Sequence, residues 1–253
     1  VFPPNFEAFN TDHSLMSYEY IGKELLLFKE AINWKNYSFS QFTPFIKGDV
    51  LEVGAGIGTN TLLFSKRKDV TFDSWTATEI DAEQVKLLQH IEAQGELTAK
   101  HQVRQMYVSE AERQYDTLIY IDVLEHIEND AAELEAAFSA LKPNGHLIVL
   151  CPAHNWLFSP FDHSIGHFRR YNKQMYLDII PKGFEVLRMR YLDSVGILAS
   201  ATNKLFLRKP YPELAEVKFW DKNLVPISTM TDKLLWHLLG KSVLMIAKKK
   251  SLF

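Results

Sequence analysis

The chain has 253 residues, of which 47% are hydrophobic and 13% aromatic, which is enough for one large domain with a sizeable core. Its 28 basic and 31 acidic residues give a net charge of −3, so no overall positive field points to nucleic acid as a partner. The single cysteine, Cys151, excludes an internal disulfide and a paired-cysteine zinc site, and it favours a reducing, cytoplasmic location.

The two ends of the sequence carry no pattern of export or membrane insertion. The first ten residues, VFPPNFEAFN, lack a basic segment followed by an apolar one, so we expect no secretion signal. The apolar region 234–247 is interrupted by His237 and Lys241 and is too short to span a bilayer, so we expect no stable membrane insertion.

Residues 1–48 show helical spacing and predict an N-terminal helical cover. Leu25, Leu26, Phe28 and Ile32 fall on one stripe, with polar residues between them. From residue 50 the pattern alternates between strand and helix, which indicates βαβ units around a parallel sheet. The predicted strands are residues 50–53, 75–79, 104–108, 117–122, 146–151, 185–193 and 242–250.

Three helices are predicted between these strands. The first covers residues 59–68, and the second passes through Val85, Leu88 and Ile91. The third starts at Asp130, which is predicted to form the N-cap with Glu133, and it ends before the Pro-Asn-Gly sequence at 143–145.

A glycine-rich turn, VLEVGAGIGTN (50–60), follows the first strand of this alternating region. It places Gly54, Gly56 and Gly58 within five positions. A dinucleotide fingerprint needs its third glycine where Thr59 stands, because that glycine lets the helix pack close beside a pyrophosphate. The spacing therefore argues against a nicotinamide dehydrogenase, although the glycines still let backbone approach a ligand.

Glu79 ends the second strand of the alternating region, in the sequence WTATE. A carboxylate at this tip lies beside the glycine turn and can accept hydrogen bonds from both hydroxyls of a ribose. The turn and the acid together predict a nucleoside-containing cofactor lying across the carboxyl ends of the strands.

At this point the sequence resembles the class I S-adenosylmethionine-dependent methyltransferases. The resemblance rests on VLEVGAGIGTNT, TEID, YDTLIYIDVLEHIEND and LKPNGHLIVLCPA, and it covers residues 48–196 and extends into the last strand. It implies a Rossmann-like α/β fold: a seven-stranded, mostly parallel sheet with helices on both faces and an antiparallel last strand. The alternative, glycines that serve only a tight turn, does not account for this ordered series of motifs.

We predict one methyltransferase domain over residues 1–253. It consists of the helical cover at 1–48, the cofactor-binding core at 49–196, a cap insertion at 197–241, and the last strand and tail at 242–253. The segment 197–241 is too long for a bare connection, which predicts that the cap is helical.

The resemblance also implies the cofactor, S-adenosylmethionine, its product, S-adenosylhomocysteine, and the residues that hold them. Gly54, Ala55 and Gly56 would pass under the methionine part, Glu79 would hold the ribose, and Ile80 would pack on the adenine. Ser109 or nearby backbone stands where many members have an aspartate that contacts the adenine amino group. The full predicted cofactor set is Glu52, Gly54, Ala55, Gly56, Gly58, Glu79, Ile80, Ser109 and Asp122.

His126 and His167 are the predicted catalytic residues. Methyl transfer is an in-line displacement in which positioning supplies much of the rate, and a base helps only if the acceptor has a proton to lose. Asp122 ends the fourth strand near the expected methyl group, and DVLEH places His126 just beyond it. A histidine titrates near neutrality and can act as the base, or His126 can simply cap or pack the next helix.

The loop at 151–174 is dense in polar and aromatic residues. We predict that His163, Arg169, Arg170 and Tyr171 bind the substrate, with arginine clamping a carboxylate or phosphate. In the alternative, the arginines pin the loop to helix ends. Asp162, His163 and His167 have a spacing that could ligate an ion, but a further acidic ligand is lacking nearby, so no metal is predicted.

A branch of the family associated with glycans, lipid-linked sugars and secondary metabolites has similar segments. The resemblance rests on GHFRRY, on GKELLLFKEAINWKNY (22–37) and on LVPISTMTDKLLWHLLGKSVLMIAKK (224–249). The leading hypothesis is therefore methyl transfer to oxygen or nitrogen of a small molecule. The alternatives are decarboxylation or cyclisation with the same cofactor, and a non-catalytic partner subunit. The cap could line an acceptor pocket, form a homodimer face or rest on a membrane, and the aromatics Tyr18, Tyr20, Trp34 and Tyr37 could cover the ligand or form helix core.

Overall fold

The structure, a computed structural model, describes residues 23–207 and 209–251. Within these residues seven strands form one sheet. The strands are β1 (Asp49–Val53), β2 (Ser74–Glu79), β3 (His101–Gln105), β4 (Tyr115–Ile121), β5 (Leu141–Pro152), β6 (Phe184–Leu192) and β7 (Ser242–Lys249).

The strand order is β3-β2-β1-β4-β5-β7-β6. Strands β1 to β5 pair in parallel, and β7 is antiparallel to both of its neighbours, β5 and β6. This arrangement confirms the predicted Rossmann-like sheet with its antiparallel last strand. The carboxyl ends of β1, β2 and β4 meet at one edge, where the chain order reverses around β1.

Helices cover the sheet on both faces. They are α1 (Lys23–Phe28), α2 (Ile32–Ser40), α3 (Thr59–Ser65), α4 (Ala82–Ala93), α5 (Asp130–Ala140), α6 (Pro160–Ser164), α7 (Lys173–Ile179), α8 (Gly196–Thr202), α9 (Leu214–Phe219) and α10 (Val225–Leu234). Short 3₁₀ turns lie at Thr43–Phe45, Val108–Glu110, Leu124–His126 and Asn155–Leu157, and π turns at Asn203–Leu207 and Trp220–Leu224. In the part of the chain that the structure describes, no helix has the length and apolar character needed to cross a bilayer.

Successive residues of the central strands point to opposite faces and fill two separate cores. In β4, Ile119 packs into the core under α2 and α3, whereas Leu118 and Tyr120 pack into the core under α5 and α7. All three side chains are fully buried. Because both faces are covered, the strands read as continuous apolar runs rather than as alternating ones.

The third predicted strand was placed too late in the sequence. It lies at His101–Gln105 rather than at 104–108. Its bounds follow from pairing with β2, which runs in register from Trp75 opposite His101 to Glu79 opposite Gln105. Val108, the last residue of the predicted strand, is buried in the following 3₁₀ turn instead.

The single stripe predicted for the N-terminal cover was also wrong. The chain turns at residues 29–31, so Leu26 and Ile32 do not share a face with Leu25 and Phe28. Leu26 is 56% exposed and Ile32 43% exposed, whereas Leu25 and Phe28 are half-buried. The predicted Tyr18 and Tyr20 lie outside the described residues.

The N-cap of α5 is Asn129 rather than the predicted Asp130. The Asn129 side chain accepts a hydrogen bond from the backbone N–H of Ala132 at 3.2 Å. Asp130 instead accepts a hydrogen bond from the hydroxyl of Tyr171 at 2.6 Å.

The predicted helical cap is present, and buried aspartates fasten it to the rest of the domain. Asp232 of α10 accepts hydrogen bonds from the hydroxyl of Tyr37 at 2.6 Å and from the backbone N–H of Asp193 at 2.7 Å. Asp221 accepts one from the backbone N–H of Trp34 at 2.8 Å. The cap is therefore tied to both α2 and the end of β6.

Candidate active site

A cavity of about 1580 Å³ opens at the carboxyl ends of β1, β2 and β4. Its walls come from α1, α2, the glycine turn after β1, the turn after β4, the loop around α6 and the cap. Lining residues from these elements are Leu25, Phe28, Trp34, Lys35, Gly54, Ala55, Gly56, Glu79, Ile80, Asp122, His126, Phe161, His167, Arg170, Trp220 and Lys241. Open α/β sheets bind their ligands in a crevice at this position.

We call one part of the cavity, formed by Gly54, Gly56, Glu79 and Ile80, the glycine end. Gly54 has φ +64°, and a Cβ there would lie only 2.6 Å from a methyl carbon of Val123 in the turn after β4. Gly58 has φ +81° and packs just as closely on α4. Because these residues have no side chain, the turn can pack closely against Val123 and α4. Gly54 and Gly56 line the cavity.

The carboxylate of Glu79 fixes the shape of the glycine end. Its Oε2 accepts a hydrogen bond from the backbone N–H of Gly56 at 2.9 Å. Its Oε1 accepts from the N–H groups of Ile80 at 2.7 Å and Asp81 at 3.1 Å. An ionised carboxylate has about four acceptor sites, so one remains for a ligand hydroxyl on the cavity side.

The histidine end of the cavity is formed by Glu125, His126 and His167, which come from two loops. Asp122, at the end of β4, has φ +54°, a conformation that is uncommon outside glycine. From there the chain enters the 3₁₀ turn Leu124–His126. The rings of His126 and His167 lie 4.6 Å apart between centroids and are nearly perpendicular.

Burial governs the protonation of this end. It is the main reason that the pKa of His126 falls to about 3, and the neighbouring His167 lowers it further, so His126 is neutral at pH 7. Burial, and next the charge of Asp122, raise the pKa of Glu125 well above its ordinary value. The side chain of Asp122 is exposed to the cavity, and desolvation by the surrounding walls raises its pKa.

A second layer of charged groups holds His167 in place. Asp162 accepts a hydrogen bond from Nδ1 of His167 at 2.9 Å and two from Arg170 at 2.7 and 2.8 Å. Burial raises the pKa of Asp162, but the bonds from His167 and Arg170 outweigh it and bring that pKa well below its usual range. Because Asp162 is ionised, Nδ1 of His167 carries the proton of this bond, and Nε2 is the ring nitrogen on the side of Glu125.

A family profile described as a methyltransferase domain matches residues 28–195, more than half of the chain. The chain belongs to this methyltransferase family. Its cofactor is S-adenosylmethionine, and its fold is the class I fold that the motifs imply.

Solved structures with the same fold as this methyltransferase share few of its residues. Phosphoethanolamine N-methyltransferase 2 from Haemonchus contortus has a TM-score of 0.62 and 15% identity, over 93% of this chain and 59% of that one. A SAM-dependent methyltransferase from Archaeoglobus fulgidus has a TM-score of 0.56 and 15% identity, over 90% of this chain and 100% of that one. The [4+2]-cyclase SpnF has a TM-score of 0.56 and 15% identity, over 91% of this chain and 95% of that one. No curated protein matches the sequence.

The glycine end of the methyltransferase fits the donor groups of its cofactor. Besides the free site on Glu79, the buried oxygens Glu24 Oε1 and Gln84 Oε1 lack hydrogen-bond partners among the described residues, and both side chains line the cavity. A buried acceptor without a donor costs about 1–3 kcal/mol. The ammonium, ribose hydroxyls and adenine amino group of S-adenosylmethionine are donors of the kind that these oxygens need.

Four residues of the predicted cofactor set differ in their surroundings. Ile80 lines the cavity and is 54% exposed. Ser109 is exposed on the 3₁₀ turn, and the preceding Met106, Tyr107 and Val108 line the cavity. Gly58 faces α4, where a Cβ on it would lie 2.8 Å from a methyl carbon of Leu88. Glu52 is buried behind the glycine turn.

The Glu52 carboxylate joins β1 to its neighbours. Its Oε2 accepts hydrogen bonds from the hydroxyl of Thr61 and the indole N–H of Trp75, each at 2.8 Å. Burial raises its pKa to about 7 although both bonds oppose the shift. This geometry makes Glu52 a support for the turn.

The predicted substrate-binding residues divide into two groups. Arg170 lines the cavity, but its guanidinium is paired with Asp162. Arg169 pairs with Asp130, and the hydroxyl of Tyr171 donates to the same carboxylate. His163 is exposed and packs on Phe158. These contacts favour the interpretation in which Arg169 and Tyr171 anchor the loop.

Besides Glu24 and Gln84, the residues of the site that were missed from the sequence include Glu125, Lys35 and Lys241. Glu125 precedes His126 in DVLEH, and its place in this motif is the sequence feature that could have identified it as a site residue. Lys35 belongs to no motif; burial lowers its pKa to about 8 although Asp122 and Asp221 act in the opposite direction. Lys241 also lines the cavity, with Nζ 3.5 Å from the ring centre of Trp220.

Proposed function

We propose that this methyltransferase transfers a methyl group from S-adenosylmethionine to an oxygen or nitrogen atom of a small molecule. The observation that carries the proposal is that one cavity joins the glycine end to the histidine end. The first offers acceptors for a nucleoside, and the second offers groups able to handle a proton. Asp122, directly after the central strand β4, lines the same cavity.

The bound cofactor supplies an electrophilic methyl group on a positively charged sulfur. In the proposal, the backbone at Gly54, Ala55 and Gly56 supports its methionine part, and Glu79 accepts a hydrogen bond from the ribose. Ile80 covers the adenine face, which explains why an exposed isoleucine stands at the cavity wall. The carboxylate of Asp122 faces the same space and can hold a donor group of either ligand.

At the histidine end, aromatic walls and the buried cluster define the acceptor site. Phe28, Phe161 and Trp220 line this cavity, and Phe28 contacts both of the other rings at about 6 Å. Their apolar surface excludes water and strengthens the electrostatic interactions of an acceptor. Where the acceptor carries a proton, His167 is the proposed base, because the pKa of His126, lowered to about 3, makes His126 a weak one.

The walls of the cavity also support a small acceptor. The cap is fixed to α2 by the Asp221 and Asp232 hydrogen bonds, so these elements enclose the site as one unit. A compact metabolite, sugar or lipid-linked head group fits such a space better than a long folded polymer. The buried, unpaired Cys151 is consistent with our proposal that the enzyme works in the cytoplasm.

The test is incubation of the protein with methyl-labelled S-adenosylmethionine and fractionated small-molecule extracts. We expect label in one fraction, release of S-adenosylhomocysteine, and a product that is heavier than its precursor by one methyl group in place of hydrogen. Tight cofactor binding without transfer to any fraction would contradict the proposal.

The same assay distinguishes a second candidate function. SpnF, a [4+2]-cyclase, has this fold, so cyclisation is the specific alternative. A cyclised product has the mass of its precursor and contains no label. Such a product would replace methyl transfer as the function of the site.

A further inference from the structure

The histidine end contains a set of side chains whose geometry suits a metal ion. One ligand atom from each of Glu125, His126 and His167 lies within 4.8 Å of the other two. The distance from Nε2 of His167 to Oε1 of Glu125 is 3.8 Å, too long for a hydrogen bond. Around a tetrahedral zinc with bonds of about 2.0–2.2 Å, ligand atoms lie roughly 3.4 Å apart. Small side-chain rotations therefore suffice for coordination.

Glu125 is the second, independent sign of a cation. Its side chain is fully buried, and neither carboxylate oxygen has a hydrogen-bond partner among the described residues. The donors closest to a bonding position are its own backbone N–H and the thiol of Cys151, and neither makes a hydrogen bond of acceptable geometry. Buried carboxylates are normally paired, hydrogen-bonded or bound to a metal, because an uncompensated one costs several kcal/mol, on the order of 3–5.

The surroundings of His167 have the form of a metal-binding histidine. Its Nδ1–H donates to Asp162, whose carboxylate is fixed by Arg170 and by the backbone N–H of Ser159 at 2.8 Å. Metal-ligating histidines usually donate their second N–H to a carboxylate or carbonyl in this way, which turns the other lone pair toward the ion. For His126 the corresponding partner is the backbone of Gly166.

We propose that Glu125, His126 and His167 bind a divalent transition-metal ion, with zinc the first candidate, and leave one coordination position open to the cavity. Two histidines and one glutamate with an open position are a ligand set of catalytic zinc sites. The proposal departs from the sequence-based expectation of no metal. In this arrangement Asp162 orients a ligand, and His163 stays on the surface.

The role of the ion rests on the proposed function. An acceptor hydroxyl bound at the open position would have a lower pKa, so it could release its proton to solvent at neutral pH and present an oxygen lone pair to the methyl group. His126 and His167 then act as ligands of the ion, and the ion takes over the activation of the acceptor.

The test is calorimetric titration of the chelator-treated, 253-residue chain with ZnCl₂, without cofactor or acceptor. We expect one zinc ion per chain. Glu125→Gln and His167→Ala should each weaken binding at least about 100-fold, and Asp162→Asn about 10- to 100-fold. Cobalt(II) provides a second readout, because a four-coordinate site gives strong visible absorption that Glu125→Gln should abolish.

His90→Ala is the matched control, since His90 is exposed on α4 and its removal should leave zinc affinity unchanged. Unchanged binding of S-adenosylhomocysteine shows that each variant is folded. Absence of zinc binding, or zinc binding that persists in Glu125→Gln and His167→Ala, overturns the metal site. Label transfer by metal-free protein would overturn the ion's role and leave the proposed methyl transfer standing. Zinc binding by a protein that transfers no label would leave the metal site standing and overturn the proposed methyl transfer.

Discussion

The glycine end and the histidine end of the cavity are built in different ways. The glycine end comes from β1, β2 and the turn between residues 53 and 59, so a short continuous region supplies its parts. The histidine end combines the turn after β4 with the loop around α6, and the cap and α2 enclose it. Backbone geometry dominates the first, and a network of buried charges dominates the second. We therefore expect substitutions at the two ends to have separable effects.

The largest effect is expected at the histidine end. Asp162→Asn leaves Arg170 buried without its counter-charge, which should lower the free energy of unfolding by about 4 kcal/mol. Urea denaturation measures this loss. The exposed pair Arg67–Asp69 provides the control, because Asp69→Asn should cost no more than about 1 kcal/mol. Equal losses in the two variants would show that burial of the Asp162 pair does not determine its contribution.

The ionisation of Glu52, behind the glycine end, should make the free energy of unfolding depend on pH by about 3 kcal/mol. An unperturbed glutamate has a pKa of 4.5, and burial raises the pKa of Glu52 to about 7 in the folded protein. Between these two values unfolding releases a proton, so this contribution to stability is complete below pH 4.5 and is lost as pH rises through 7.

Comparison of the wild type with Glu52→Gln by urea denaturation from pH 4.5 to pH 8 isolates this contribution. The wild type should lose stability relative to the variant across that range. The glutamine can still accept the bonds from Thr61 and Trp75, which bind the same oxygen. A constant difference between the two proteins would contradict the raised pKa.

The next effect is on cofactor affinity and is expected at the glycine end alone. Glu79→Ala removes the acceptor for the ribose and releases the N–H of Gly56, so S-adenosylhomocysteine should bind about 100-fold more weakly, or about 2.7 kcal/mol. Calorimetric titration measures it. Glu83→Ala, on the exposed face of α4, is the control and should bind normally. Asp162→Asn should also bind normally; a comparable loss there would show that the ends are coupled.

The smallest effect concerns the fastening of the cap. Tyr37→Phe removes one hydrogen bond to Asp232, which keeps its bonds from the N–H groups of Asp193 and Ser194. The free energy of unfolding should fall by about 1 kcal/mol, with no change in S-adenosylhomocysteine affinity. Thermal and urea denaturation measure the first, and calorimetry the second. A large loss of affinity would show that the cap position controls the glycine end.

Errors in the sequence-based elements occurred where pairing or long-range bonds decided the outcome. The bounds of β3 depend on its register with β2, which local apolar content does not reveal. Asp130 was assigned to the N-cap of α5, but Tyr171, far away in the sequence, uses its carboxylate. Ile32 lost its place on the predicted stripe because the chain turns before α2.

The sequence by itself determined the alternating fold, the family and the glycine end. Strand periodicity, the glycine spacing and Glu79 act within one short region, so their meaning is local. Only the tertiary structure decided the histidine end. It buries Glu125 with neither carboxylate oxygen hydrogen-bonded within the described residues, pairs Asp162 with His167 and Arg170, and fastens the cap through Asp232. The turn after β4, the loop around α6 and the contact between α2 and α10 come from separate parts of the chain, so only the fold brings them together. Burial then changes what a charged group requires.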